Sequence, residues 1–95
     1  MSSNPQTLSY FFLGIRVTVT NPSELNVSLK GKSGTVKRRH YKDHNSHSEL
    51  CWVRFDEDIP SELREYPDDD YRKNEVALFP HECCKEIDYR NAISQ

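Results

Sequence analysis

The chain has 95 residues, with 13 Lys and Arg against 15 Asp and Glu and a formal net charge of −2. That length supports one domain at the small end of what a single core stabilises, and a hydrophobic share of 35% leaves much of the chain to polar connections. A pI near 6.1 argues against a dedicated nucleic-acid binder, which is usually basic as a whole domain.

Residues 1–8 are small and polar, and the segment 1–13 is expected to be a flexible N-terminus. Its apolar run, Tyr10-Phe11-Phe12-Leu13, is far too short to span a bilayer. No basic region precedes it, so no signal peptide is expected. The apolar residues cluster at 8–19, 50–55 and 76–87, which predicts a small ordered core between long polar loops.

From Gly14 the chain alternates apolar and polar residues, with Ile15, Val17 and Val19 on one face of a first strand. Asn21-Pro22-Ser23 ends it. Residues 21–33 read as a polar loop in which Leu25, Val27 and Leu29 are spaced for an extended arm folded back on the core. Gly31 and Gly34 bracket a turn into a second strand over 35–41, whose inward side chains are Val36 and Tyr41. Residues 43–48 are a turn cluster. A third strand over 50–55 is the most hydrophobic, with Val53 and Phe55 on one face and Trp52 on the other.

Residues 56–74 form a long acidic excursion. Pro60 starts one helical turn over 61–66 and Pro67 stops it. A fourth strand over 75–79, a single turn over 80–83 and a fifth strand over 84–88 complete the domain, which spans 14–88. Residues 89–95 are expected to be a C-terminal tail.

Five short strands in this order resemble the SH3-like small β-barrel. The closing segment Ala77-Leu78-Phe79-Pro80-His81-Glu82-Cys83-Cys84 is similar to the Leu/Phe-Pro-x-x-Tyr-Val segment of SH3 domains. Lys30-Gly31-Lys32-Ser33-Gly34-Thr35-Val36 resembles the KOW motif of ribosomal and transcription-elongation proteins. The resemblance implies an all-β, SH3-like five-stranded small barrel with a long acidic loop between strands 3 and 4. It carries no chemistry of its own. Polyproline recognition is not expected. The first strand lacks the Ala-Leu-Tyr-Asp-Tyr-like segment, and Cys83 stands where the SH3 tyrosine would be. Only Pro80 and Trp52 remain of the aromatic groove such ligands need.

The net charge hides an asymmetry. Residues 30–42 hold Lys30, Lys32, Lys37, Arg38, Arg39 and Lys42 and no acid, whereas 56–70 hold eight acids against Arg64. The basic segment with Tyr41 fits phosphates and a stacked base, and in the KOW resemblance it faces nucleic acid. It equally fits a protected edge strand, or a strand matched within the chain by the acidic loop. Asp56-Glu57-Asp58 and Asp68-Asp69-Asp70 lack the glycine-punctuated spacing of an EF-hand and read as a solvated, mobile, repelling loop.

His40, His44, His47 and Cys51, and again His81, Cys83 and Cys84, are near one another in sequence. With irregular spacing and no Cys-x-x-Cys pair, no metal or other cofactor is expected. A Cys/His nucleophile without an orienting third group or a cleft gives no enzyme. Three cysteines, an odd number, argue against a disulfide framework and fit a cytoplasmic protein. Adjacent Cys83 and Cys84 are poorly placed to bridge each other.

The function expected is a non-catalytic interaction module, a protein-docking accessory domain or subunit. Its surface comprises Lys37, Arg38, Arg39, Tyr41, Lys42, Trp52 and Pro80. Trp52 serves there as an exposed anchor surrounded by Tyr41, Tyr66 or Tyr71, or else covers the core beneath the acidic loop. The alternative is a KOW-like RNA- or DNA-binding domain using Lys30, Lys32, Lys37, Arg38, Arg39, Tyr41 and Lys42.

Overall fold

The computed structural model describes residues 12–41 and 49–93. It contains strands β1 (Arg16–Val19), β2 (Ser33–Tyr41), β3 (Glu49–Phe55), β4 (Glu75–Leu78) and β5 (Cys83–Lys85), followed by helix α1 (Glu86–Ile93). Short 3₁₀ segments occupy Glu24–Leu29, Ser61–Leu63 and Pro80–Glu82. The strands make one antiparallel sheet in the order β4-β3-β2-β1-β5. The expected all-β class holds. The sheet is open, with β4 and β5 at its two ends.

The alternation in the sequence works as expected where it is strongest. Val17 and Val19 of β1, Cys51, Val53 and Phe55 of β3, and Val76 and Leu78 of β4 are buried in one core with Val36 of β2. Ile15 packs at its margin. Two loop residues complete the core, Leu29 before β2 and Ile59 from the acidic excursion. Burial of such side chains is the main stabilising term available to a chain this small.

Two backbone features shape the sheet. Gly31 takes a left-handed conformation, φ 86°, as the turn before β2 requires. Gly34 lies inside β2 rather than in the turn, pairing with Val17 on one side and Phe55 on the other. A Cβ on Gly34 would sit 2.4 Å from the Arg54 carbonyl oxygen and 2.8 Å from Val53 Cγ1. The strands therefore close to this distance only over glycine.

The second feature is a bulge. Val36 pairs with Val53, but the next pair is Arg38 with Trp52, so Lys37 is the extra residue. An inserted residue exchanges the faces of everything beyond it. Without it Arg38 would lie across from core residue Cys51. With it Arg38 lies across from Trp52, and Arg39 faces Cys51. Tyr41 pairs through its backbone with Glu49, but its side chain lies outside the described part of the chain, as do residues 1–11 of the expected flexible segment 1–13 and the turn cluster 43–48.

Three expectations are corrected. The fifth strand is only Cys83–Lys85, and the chain turns at once into α1 (Glu86–Ile93), where strand and tail were expected. Helix α1 starts with Glu86 and Asp88 in its first turn, which suit the positive helix end, and Arg90 closes on Glu86 one turn earlier, at 3.4 Å. The 21–33 loop is not an extended arm. It forms 3₁₀ turns over Glu24–Leu29 with a kink at Asn26, leaving Leu25 and Val27 exposed and only Leu29 buried. The acidic excursion is not a free loop, although Asp56, Glu57, Asp58, Asp68 and Asp70 are exposed as expected. Ile59 is buried, Leu63 packs on the core, and several of its acids bond to the sheet.

Among the described residues, no helix is long and apolar enough to cross a membrane.

Candidate functional site

The bulge at Lys37 assembles a charged aromatic cluster on the outer face of β2 and β3. Arg38 lies with its guanidinium 4.8 Å from the Trp52 ring centroid and 5.6 Å from that of Tyr66, which the acidic excursion supplies. Arg72 approaches the same Tyr66 ring at 5.3 Å. His40 meets Trp52 edge-on, with centroids 6.4 Å apart. The Trp52 indole Nε1 donates to Glu65 Oε1 at 3.2 Å. A cation over an aromatic face is attracted by the ring quadrupole, most strongly over Trp.

Beneath this layer is a carboxylate. The Glu75 side chain is only 3% exposed. Its Oε2 accepts from Arg54 Nε at 3.2 Å and Nη2 at 2.9 Å, and its Oε1 accepts from Arg38 Nη2 at 3.4 Å. Arg54 is the direct cross-strand neighbour of Glu75, so β-sheet register alone brings the pair together. A buried carboxylate needs such partners, because an unpaired charge there is costly.

A second ionic cluster ties the chain's late segments to β1. Arg16 donates to Asp56 at 2.6 and 2.5 Å and to Glu86 at 3.2 Å through Nε and Nη2. The Arg16 guanidinium holds both Asp56 and Glu86 below the usual carboxylate range. Asp58 is also lowered, chiefly by the hydrogen bond from Asn74.

The expected site residues divide. Arg38 and Trp52 are brought together. Lys32 instead reaches Glu57 at 2.9 Å. Lys30 and Lys37 are exposed, Lys30 at the Gly31 turn and Lys37 at the bulge. Arg39 is on the opposite register, across from Cys51. Pro80 is buried as the first residue of its 3₁₀ turn. Lys42 lies outside the described residues. Reading the basic segment as one continuous face therefore fails at Lys37, where the bulge splits it.

Cys51 is in the core. Burial pushes the Cys83 thiol up to about 12, and burial also raises Cys84. His81 stacks on Phe79, with centroids 5.6 Å apart. Among the described residues no group of three or more His, Cys, Asp or Glu converges as a metal site. His44 and His47 lie outside them.

Sequence reasoning missed Glu75, Arg54 and Glu82. The Glu82 residue is 1% exposed, and its carboxylate accepts from Ser23 N at 2.9 Å, Phe79 N at 3.0 Å and Asn26 Nδ2 at 3.3 Å. It pins the 3₁₀ segment after β1 to the turn before β5. Glu75 was legible in principle, since it opens a strand two residues before Ala77 and shares the Trp52 face by alternation. Tyr66 was anticipated as one of three candidate neighbours of Trp52, and Arg38 is the residue that joins the two rings.

No known protein family, curated protein or solved structure matches the chain.

Proposed function

We propose that this chain is an SH3-like small-barrel module that docks another protein and has no catalytic role. The strand order β4-β3-β2-β1-β5 and the single 3₁₀ turn between β4 and β5 support the SH3-like reading. The three free cysteines fit a cytoplasmic setting.

One observation carries the protein-docking reading. Two of the cations expected to meet phosphate already have carboxylate partners within the chain, Lys32 in Glu57 and Arg38 in Glu75, which it shares with Arg54. The rings that flank Arg38 remain partly exposed. A surface of paired charges around aromatic anchors suits protein recognition, in which a few aromatic and arginine side chains carry most of the energy. The KOW-like nucleic-acid alternative keeps Lys30 and Lys37, both exposed.

The test is affinity purification of the tagged protein from its own cells, with and without nuclease. Protein partners that survive nuclease and are lost with Trp52→Ala support docking. Partners that vanish with nuclease, and binding whose logarithm falls steeply and linearly with log salt, support the KOW-like alternative instead.

A further inference from the structure

We propose that Trp52 and Tyr66 form a guanidinium clasp, occupied by Arg38 in the isolated chain, that docks an arginine side chain of a partner protein by exchange. This rests on the protein-docking reading above and names the chemistry of the partner.

The site already displays its ligand class. Two guanidinium groups of this chain lie against its rings, Arg38 at 4.8 Å from Trp52 and 5.6 Å from Tyr66, and Arg72 at 5.3 Å from Tyr66. Carboxylates complete it: Glu75 below the rings and Glu65 beside the Trp52 indole. A planar cation that stacks on rings while donating to carboxylates is the guest this arrangement fits, and a guanidinium does both better than an ammonium.

The resident guest is held loosely. Among the described residues its hydrogen bonds, to the Tyr66 hydroxyl and to Glu75 Oε1, are both 3.4 Å long, at the far limit for such contacts. The Arg38 side chain is 43% exposed, so it has a way out to solvent. Its departure would not strand the buried carboxylate, because Arg54 holds Glu75 independently at 2.9 and 3.2 Å. Exchange thus replaces one long-bonded guanidinium with another and leaves the tight pair intact. The acidic excursion that carries Tyr66 also favours the approach of a cationic side chain.

Exchange makes a prediction opposite to that of a simple contact role. If Arg38 competes with the guest, removing it raises the affinity. The resident arginine lowers apparent affinity by the fraction of clasps it fills. The probe is acetyl-arginine amide, titrated at constant ionic strength and read by isothermal titration calorimetry in every variant, with the Trp52 indole N–H resonance locating the site wherever Trp52, the single tryptophan, is present. We expect Arg38→Gln to bind it about tenfold more tightly than the wild-type chain. Adding Trp52→Phe to that variant should cancel most of the gain, and acetyl-lysine amide should bind more weakly than the arginine probe.

The proposal is overturned if folded Arg38→Gln protein binds the arginine probe no better than wild type. It is also overturned if arginine and lysine probes bind alike, or if binding survives the added Trp52→Phe. Should Arg38→Gln not fold, Arg38→Lys supplies the same test with a weaker resident competitor, and unchanged affinity there overturns the exchange. The titration uses no partner, so its failure removes the clasp while the nuclease-treated purification decides protein docking separately.

Discussion

Arg38 and Trp52 are direct cross-strand partners in the β2–β3 ladder, and the guanidinium of one lies 4.8 Å from the ring centroid of the other. The contact exists because Lys37 is bulged out. It joins the sheet to the acidic excursion, since Tyr66 shares the same guanidinium. Replacing Arg38 by Met keeps a long side chain over the indole and removes the charge. The expected loss is about 0.5–1 kcal/mol, the size of a partly exposed cation–π contact. Arg38→Ala should lose about 1–2 kcal/mol, because the aliphatic stem over Trp52 goes as well. Urea unfolding of both variants measures the difference, and equal losses would show that stacking of the charge adds nothing to packing.

Glu75 and Arg54 should be strongly coupled. The carboxylate is 3% exposed and the arginine 36%, so the pair lies between the surface and buried regimes. Glu75→Gln should destabilise by about 2 kcal/mol, and a double-mutant cycle with Arg54→Met should return a coupling of about 1–2 kcal/mol. A coupling near zero would mean that Glu75 owes its place to packing alone.

The Arg16 cluster sets an acid limb. Asp56 and Glu86 titrate below their ordinary values in the folded chain because Arg16 donates to both. Groups lowered on folding contribute stability that is complete above their unfolded pKa, about 4 for these side chains. That contribution is lost as pH falls through the lower folded values. Stability should therefore drop below about pH 4, and Asp56→Asn should be less stable at neutral pH with a shallower acid limb. Arg16 and Asp56 are 39% and 53% exposed, so raised salt should diminish both differences. Thermal melts from pH 7 to 3 at low and high salt provide the measurement.

These features were unequally legible in the sequence. Period-two alternation located the core of β1 and β3, since an inward face must be apolar in Val17 and Val19 and again in Cys51, Val53 and Phe55. The same rule fails across Lys37. A bulge reverses the alternation, and a lysine gives no local sign of one. The acids misled in the opposite direction. Glu75, next to so acidic a stretch, and Glu82, in a short turn, look like solvated surface, yet both are buried because particular donors meet them. Apart from Phe79 N, three residues before Glu82, those donors come from residues far away in the chain. Helix α1 was hidden for another reason. The sequence Cys84-Lys85-Glu86-Ile87-Asp88 alternates like a strand, and the helix is tied down by Arg16 contacts with Glu86 rather than by an apolar face.

Gly34 should be intolerant of any side chain. The Arg54 carbonyl at 2.4 Å is backbone, and it cannot yield without opening the β2–β3 ladder. Gly34→Ala should cost about 2–3 kcal/mol, the range of overpacked positions. Gly31→Ala meets no neighbour within 4 Å and should cost less, about 1 kcal/mol from its left-handed backbone alone. Denaturant midpoints that ranked the two in the reverse order would contradict the close approach of the strands.

Glu82 is the residue whose loss should do most damage outside the apolar core. Its carboxylate satisfies the backbone N–H groups of Ser23 and Phe79, while its own carbonyl accepts from Thr20 N and Asn21 N at 2.9 and 3.0 Å. Substitution leaves the carbonyl contacts intact and removes only the side-chain ones. Glu82→Ala should therefore strand two donors and cost about 2–4 kcal/mol, since each unsatisfied buried group costs about 1–3 kcal/mol. Glu82→Gln retains one acceptor oxygen and should recover roughly half of that loss. Amide hydrogen exchange gives the discriminating readout. Faster exchange at Ser23 and Phe79 in Glu82→Ala, with Val17 and Val53 exchange limited only by the lower global stability, would locate the effect at this junction. Uniform acceleration with Ser23 and Phe79 unexceptional would mean that Glu82 acts through general packing instead.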